Sequence, residues 1–254
     1  MKKWFISQSR KLYFGWIQRK KKMSNGTRLT YILNTVPQSD TLVIVLSSLA
    51  LEGKSVYNHV RSLKDTPYNR LYVLDNFGYE KRGVFYLGEK NGMEVRDAVE
   101  ELIGEICDST AITKKIFTGS CKGGTAAIYL GLRLKASKII VGAPMYYISD
   151  CLNMKLREYL IPMLDKRNPN GENELNQVIR ETVHNVTFNG QMYVQYSSKD
   201  EYYPSQIRPL INDLEEQKIS LVVEQADYLR HDHCSRYFSS FLKSVLADGI
   251  KLSS

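Results

Sequence analysis

Residues 116–125 are IFTGSCKGGT, and this stretch decides the fold. The apolar residues before Gly119 predict a strand, and the apolar pattern that begins at Thr125 predicts a helix. A Gly-x-nucleophile-x-Gly motif between a strand and a helix is typical of a nucleophile elbow, because small residues on both sides of the nucleophile prevent steric collision. Gly119 and Gly123 flank Cys121 in this way. The dipole of the following helix favours a thiolate at Cys121.

Ser120 is the rival nucleophile of this turn. Its neighbours two positions away are Thr118 and Lys122, which are too bulky for an elbow. A phosphate-binding loop requires its Lys after the glycines, and here the Lys comes before them. A thiol phosphatase requires an Arg six residues after its Cys, where this chain has Ala127. A tight turn around a buried, inert cysteine is the remaining interpretation.

Strand-like and helix-like patterns alternate along the rest of the chain. They predict strands at 28–36, 41–47, 70–75, 115–118, 138–141, 191–196 and 220–224, and helices at 55–63, 92–107, 125–134, 205–217 and 234–246. This alternation predicts one α/β domain with a doubly wound, mostly parallel sheet covered by helices on both faces. Residues 150–187 interrupt the alternation, and we expect them to form a helical insertion over the carboxyl edge of the sheet, where ligands bind in such folds.

An acid and a histidine follow the elbow in the order that a catalytic triad of this architecture requires. Asp200 comes just after the strand at 191–196, and Glu201 is the alternative acid. His231 follows the strand at 220–224, and His233 is the alternative histidine. A metal site at this His-x-His pair lacks a second cluster of ligands, so we expect no metal.

The oxyanion hole of such an enzyme uses the backbone N–H of the residue after the nucleophile, together with an N–H from the loop after an earlier strand. Lys122 supplies the first donor. Ser48 or Leu49, in the loop after the strand at 41–47, supplies the second.

The composition limits the partners of the protein. The 254 residues carry a formal net charge of +8 from 35 Lys and Arg and 27 Asp and Glu. Eight of the bases lie in residues 1–25, which contain no acid, so the remaining chain is formally neutral. A nucleic-acid-binding surface is therefore not expected. No apolar run is long enough to cross a bilayer, and four scattered cysteines predict reduced thiols in a cytoplasmic protein.

We divide the chain into a basic, aromatic N-terminal segment at 1–25 and the α/β domain at 26–250. Trp4, Phe5 and Trp16 are interspersed with the eight bases of the segment. Such a composition suits peripheral contact with an anionic membrane, at the inner membrane face. The alternatives are a disordered basic tail and a start of translation at Met23.

With these features in place, the sequence resembles the α/β-hydrolase superfamily. The blocks GSCKGGT at 119–125 and GAPMYYISD at 142–150 resemble the XcbB/CpsF family of capsular polysaccharide biosynthesis proteins, and more distantly the accessory secretion-system acetyltransferases. The family's His six residues before a Tyr-Phe pair matches His231, which is a second reason to prefer His231 over His233. The family usually has Ser where this chain has Cys121.

The resemblance implies a Cys-dependent esterase or acyltransferase linked to capsular or surface polysaccharide, acting on a glycan or an acyl donor without a cofactor. In the implied mechanism, His231, oriented by Asp200, activates Cys121 to form an acyl-enzyme. The replacement of Ser by Cys also leaves open a non-catalytic component of a polysaccharide-synthesis complex. A glycan or sugar-phosphate transferase is the remaining alternative.

Overall fold

The computed structural model describes residues 16–49 and 55–251. Its strands are β1 (Arg19–Lys22), β2 (Arg28–Asn34), β3 (Thr41–Leu46), β4 (Asn69–Leu74), β5 (Lys114–Ser120), β6 (Lys138–Gly142), β7 (Gln191–Tyr196) and β8 (Leu221–Gln225). Its α-helices are α1 (Glu94–Thr110), α2 (Lys122–Arg133), α3 (Ile148–Lys155), α4 (Arg157–Leu160), α5 (Gly171–Asn185), α6 (Arg208–Glu216) and α7 (Cys234–Lys251). Short 3₁₀ turns at 79–81, 161–163 and 231–233 and a π turn at 203–207 complete the description.

The described strands form one sheet in the order β1-β2-β4-β3-β5-β6-β7-β8. Strands β4, β3, β5, β6, β7 and β8 are parallel, and β1 and β2 extend the sheet as antiparallel strands. The central strand β3, with the sequence TLVIVL, is buried along its whole length. A continuous apolar run of this kind is typical of a parallel strand covered on both faces. The doubly wound sheet predicted from the sequence is confirmed.

Successive side chains of β3 point to opposite faces of the sheet and divide the core into two layers. Ile44 and Leu46 belong to the larger layer, which includes α1, α2 and much of the insertion. Val43 and Val45 belong to the smaller layer, which is closed by α7 through Phe238 and its apolar neighbours. Both faces of the central strands are therefore covered by apolar side chains and excluded from solvent. The carboxyl edge of the sheet remains accessible for functional side chains.

The helical insertion lies between β6 and β7, as the sequence predicts. Its 3₁₀ turn accepts hydrogen bonds from a neighbouring loop, with Lys90 N–H bound to the carbonyl of Pro162 at 2.9 Å and Asn91 N–H bound to that of Met163 at 2.6 Å. The Asn91 side chain also donates to the carbonyl of Gly171, where α5 begins. These bonds hold the insertion at the carboxyl edge, beside the loops that follow β4.

Two regions differ from the expectations. The helix predicted at 55–63 is wrong, because the described residues of this stretch form irregular turns in which His59 has a φ of 58°. Arg19–Lys22 belong to the segment that we assigned to residues 1–25, yet they pair in register with β2, and Met23 is buried in the core. Residues 1–15, which hold most of the proposed membrane segment, lie outside the described residues. Among the helices that the structure describes, none has the length and apolarity to span a bilayer.

Candidate active site

Cys121 occupies the turn between β5 and α2. Its φ and ψ are 53° and −127°, a strained region for a residue with a side chain. The turn is held because Cys121 N–H donates to the carbonyl of Gly142 at 2.9 Å, and the Cys121 carbonyl accepts from Thr125 N–H at 3.0 Å. Strain that the surroundings maintain in this way is typical of functional positions. The elbow therefore presents the Cys121 side chain at the start of α2.

The two glycines of the motif are required by close backbone packing. A Cβ at Gly119 would come within 2.5 Å of the Gly123 carbonyl group. A Cβ at Gly123 would collide with the carbonyl oxygen of Leu46 at the end of β3. The small residues on both sides of Cys121 thus allow α2 to start directly against the sheet, as the Gly-x-Cys-x-Gly spacing predicts.

An acid and a histidine lie beside this turn. His231 Nδ1 is 2.9 Å from Asp200 Oδ2, and the carboxylate of Asp200 is fully buried. The other carboxylate oxygen accepts a hydrogen bond from Tyr202 N–H at 3.0 Å. The edge of the imidazole ring packs against the Tyr202 ring at a centroid distance of 5.0 Å. With Nδ1 committed to Asp200, the second ring nitrogen is available to the nucleophile.

The pKa shifts of Cys121 and His231 favour a thiolate beside an imidazolium. Burial opposes ionisation of the thiol, but the charge of His231 and hydrogen bonds from that residue and from two backbone groups outweigh it and lower the pKa of Cys121. Burial likewise opposes the charge on the imidazole, yet the thiolate and Asp200 raise the pKa of His231 to about 10. His231 Nε2 is buried and has no hydrogen-bond partner among the described residues. The charge of Cys121 is the largest of the effects that raise the pKa of His231.

The backbone N–H groups of Lys122 and Leu49 stabilise the ionised sulfur of Cys121 and so lower its pKa. Of the two residues considered for the second donor, Ser48 directs its N–H elsewhere, to Asn58 Oδ1 at 2.9 Å. The Ser48 hydroxyl donates to the Ser120 carbonyl at 2.9 Å. An oxygen that develops negative charge beside Cys121 would find both amides already oriented, which is the requirement for an oxyanion hole.

The alternative candidates for the nucleophile, the histidine and the acid also lie near this site, but their surroundings differ from those of Cys121, His231 and Asp200. Ser120 is fully buried, and its hydroxyl shares a hydrogen bond with the Ser48 hydroxyl at 3.0 Å. His233 is largely exposed and lies 3.9 Å from its neighbour Asp232. Glu201 accepts a hydrogen bond from the backbone N–H of His231 at 3.0 Å and so braces the histidine loop.

A second ion pair, which the sequence analysis missed, lies beneath the elbow. Lys122 Nζ is 2.7 Å from Asp75 Oδ2, and neither side chain has any exposed surface. The ammonium group also lies 4.9 Å from the centre of the Tyr86 ring. Burial lowers the pKa of Lys122, although Asp75 opposes this effect. Gly83, with a φ of 113°, leaves the space for the pair, since a Cβ there would meet both charged groups.

This buried pair connects the two amides that face Cys121. The Asp75 carboxylate accepts hydrogen bonds from the backbone N–H groups of Val84 and Tyr86 at 2.9–3.0 Å. The Tyr86 hydroxyl accepts a hydrogen bond from Ser47 N–H at 2.6 Å, and Ser47 precedes the loop that contains Leu49. Lys122 thus anchors the elbow and the second amide to the same network. The sequence features that could have indicated this pair are the acid at the end of the apolar strand RLYVLD and the Lys inside a Gly-rich turn.

The other cysteines near the site are ordinary thiols. All four cysteines of the chain are free. Cys151 and Cys234 are buried close enough to Cys121 to be affected by its charge, and burial is the main cause that raises the pKa of both thiols. Within residues 16–49 and 55–251, no group of three or more His, Cys, Asp or Glu side chains is arranged to hold a metal ion.

Comparison of the whole chain with solved structures gives matches that cover nine-tenths of it. The capsule O-acetyltransferase of Neisseria meningitidis serogroup A, in complex with CoA, is similar at a TM-score of 0.75 and 16% identity, over 90% of this chain and 94% of its own. The chain has the α/β-hydrolase fold.

Two hydrolases extend this comparison. The S-formylglutathione hydrolase of Agrobacterium tumefaciens has a TM-score of 0.68 and 15% identity, over 91% of this chain and 92% of its own. The fluorophosphonate-binding serine hydrolase F of Staphylococcus aureus has a TM-score of 0.67 and 12% identity, over 91% of this chain and 96% of its own. No family model matches the sequence, and no curated protein matches it. These three structures, an O-acetyltransferase and two hydrolases, agree with the fold that the resemblance in the sequence implies.

Proposed function

We propose that the protein is a Cys-dependent acyltransferase or esterase that forms an acyl-enzyme on Cys121. The observation that carries the proposal is the strained elbow at Cys121 together with His231, whose Nδ1 lies 2.9 Å from Asp200 and whose charge lowers the pKa of the Cys121 thiol. A charged thiolate is the reactive form of cysteine, and an ordered pair of N–H donors stabilises the oxygen that gains charge when a carbonyl is attacked.

In the first half of the reaction, the sulfur of Cys121 attacks the carbonyl carbon of an ester or thioester. The carbonyl oxygen becomes negatively charged and accepts hydrogen bonds from the N–H groups of Lys122 and Leu49. When the bond to the leaving group breaks, the imidazolium of His231 donates its Nε2 proton to the departing oxygen or sulfur. The acyl group is then held on Cys121 as a thioester, and His231 is neutral.

In the second half, the neutral His231 accepts the proton of an incoming hydroxyl. The hydroxyl oxygen attacks the acyl carbon, the two amides again stabilise the charged oxygen, and Cys121 leaves as a thiolate. The product is an ester when the hydroxyl belongs to a sugar, and a free acid when it belongs to water. Asp200 keeps the Nδ1 proton in place through both halves.

The choice of substrates rests on similarity. The capsule O-acetyltransferase with a similar structure is described in complex with CoA. This likeness supports an acyl-CoA thioester as donor and a hydroxyl of a surface or capsular glycan as acceptor. A cysteine nucleophile suits a thioester donor, because exchange between two thioesters conserves the energy of the acyl bond for the transfer step.

Intact-mass spectrometry tests the acyl-enzyme directly. The full chain is mixed with acetyl-CoA or p-nitrophenyl acetate, quenched in acid and weighed beside Cys121→Ala, His231→Ala and a Cys107→Ala control. We expect one acetyl group on the native chain and on Cys107→Ala, none on Cys121→Ala, and slower labelling of His231→Ala. Labelling that persists in Cys121→Ala, or no labelling of the native chain, would contradict the proposal.

We also propose that the protein is cytoplasmic and that its N-terminal segment contacts the inner face of the membrane. The four free cysteines support a reducing compartment. The described part of the N-terminal segment forms the edge strand β1, whose residues Arg19, Lys20 and Lys22 are exposed. Liposome co-sedimentation of the full chain and of a variant without residues 1–15 tests the contact. Binding to anionic vesicles that the truncation weakens is expected, and equal or absent binding of both proteins would contradict it.

A further inference from the structure

An open groove of about 740 Å³ lies on the sheet face that α7 covers, apart from the Cys121 turn. It occupies the place where the expected helix at 55–63 is replaced by irregular turns, so the sheet is incompletely covered there. The polar residues that line it come mainly from these turns, from the start of β4 and from α7: His59, Arg61, Ser62, Lys64, Arg70 and Ser239.

The groove is strongly positive. Three of its lining residues are Arg61, Lys64 and Arg70, and no Asp or Glu is among the described residues that line it. Arg61 and Lys64 are both exposed residues. A concave surface lined by positive charges concentrates anions from solution.

Two buried nitrogens in the lining have no hydrogen-bond partner among the described residues. They are Nε2 of His59 and Nε of Arg70. His59 is held by its other nitrogen, 3.3 Å from Ser239 Oγ, and by the edge of Phe238. Buried polar groups of native proteins are almost always paired, so a nitrogen of this kind calls for a partner that residues 16–49 and 55–251 do not supply.

Arg70 is fixed while part of its guanidinium group remains available. Its Nη1 donates to the carbonyls of Leu63, Lys64 and Thr66 at 3.0 Å each, which closes the turn and orients the planar group. A pre-oriented guanidinium beside a lysine is the arrangement that recognises phosphate oxygens. Burial lowers the pKa of His59 to about 4, so the ring is neutral near pH 7, and a nearby anion would raise this pKa.

We infer that this groove binds a phosphate-bearing ligand, with its phosphoryl oxygens between His59, Arg61, Lys64 and Arg70. The volume of the groove suits a small organic phosphate, since ligand pockets typically span about 300–1,000 Å³. A soluble phosphate ester and the headgroup of a phospholipid carry the same chemistry, and the experiment below distinguishes these two sources.

The groove is connected through the chain to the proposed oxyanion hole. His59 follows Asn58, whose side chain accepts the N–H of Ser48, and Ser48 precedes the donor Leu49. A ligand that contacts His59 would therefore act next to the residue that supports the loop of the second donor. This connection rests on the proposed acyl transfer, whereas the binding of phosphate does not.

Isothermal titration of the full chain with inorganic pyrophosphate, together with sedimentation with phosphatidylglycerol vesicles, tests the inference. The site variant is Arg61→Ala/Lys64→Ala, and the matched control is Lys135→Ala/Lys166→Ala, which removes the same charge from two exposed positions outside the groove lining. We expect the site variant to bind at least about tenfold more weakly than the native chain, and the control to bind as the native chain does. NMR of the four histidines supplies a second readout, in which pyrophosphate raises the pKa of His59.

Binding of pyrophosphate that the site variant loses supports the inference with a soluble phosphate as the source. Binding of vesicles alone that the site variant loses supports it with a lipid headgroup. Equal affinities of the three proteins, a His59 resonance that pyrophosphate leaves unmoved, or no binding of either probe to the native chain would overturn it. Because the readouts do not involve Cys121, a failure of acyl transfer leaves this result unchanged.

Discussion

Two ion pairs of opposite character are built on consecutive residues of the elbow. Cys121 faces His231 at the carboxyl edge and is partly exposed, whereas Lys122 and Asp75 have no exposed surface beneath it. The same turn therefore separates a charge that a substrate can reach from a charge that solvent cannot reach. Access, rather than the presence of charge, distinguishes the reactive pair from the structural pair.

The buried carboxylate of Asp75 also has more hydrogen-bond partners than the imidazole of His231. Asp75 accepts hydrogen bonds from Lys122, Val84 and Tyr86, which leaves little unsatisfied capacity in that carboxylate. His231 has Asp200 on Nδ1, and its Nε2 has no hydrogen-bond partner among the described residues. A fully satisfied buried group stabilises one arrangement, while a group with a nitrogen in reserve can transfer a proton.

The largest expected effect comes from Asp200→Asn, which acts on the reactive pair. Loss of the carboxylate favours the wrong tautomer of His231 and removes the charge that stabilises its protonated form. We expect the rate of acyl transfer to fall by about 10⁴-fold. Steady-state kinetics with p-nitrophenyl acetate measures this change. A Glu201→Gln variant with the same loss would contradict the assignment of Asp200 as the orienting acid.

The structural pair is tested by Lys122→Met, which leaves Asp75 charged and buried. Removal of one partner of a buried ion pair costs about 3–5 kcal/mol, so we expect the free energy of unfolding in urea to fall by that amount. Lys243→Met, a change at an exposed position of α7, is the control and should leave the stability nearly unchanged. If both variants are equally stable, the Lys122–Asp75 pair does not brace the elbow.

The smallest expected effect is that of Asn58→Ala, which removes the acceptor of the Ser48 N–H. The loop that carries Leu49 loses one support, and we expect kcat to fall about tenfold, equivalent to about 1.4 kcal/mol, while KM stays close to its native value. Asn58→Asp retains an oxygen acceptor and should recover most of the rate. A change confined to KM would assign Asn58 to substrate binding instead.

The elbow and its two partners could be predicted because their signals are local or ordered along the chain. Gly119 and Gly123 mark the turn by their spacing, and Asp200 and His231 each follow a recognisable strand. The parallel sheet could be predicted for the same reason, since apolar strands and amphipathic helices alternate.

The missed features depend on contacts between distant residues or on the backbone alone. Asp75 and Lys122 are 47 residues apart, and nothing in either local sequence names the other. The sequence analysis named Ser48 or Leu49 as the second donor, but it could not choose between them, because the direction of a backbone N–H has no side-chain signature. Strand β1 has the sequence RKKK, which has low strand propensity and joins the sheet only because β2 offers it an edge.

The central claim is that Cys121 is a thiolate held by His231, and the pH dependence of its alkylation tests this claim most directly. Peptide mapping after iodoacetamide treatment follows Cys121 separately from Cys107, in the native chain and in His231→Gln. Because a lowered pKa keeps the thiolate present until the pH falls through that pKa, we predict a midpoint for Cys121 well below the value of about 8.5 for a free thiol, and a higher midpoint in His231→Gln. A native midpoint at or above about 8.5, or one that His231→Gln leaves unchanged, would contradict the account.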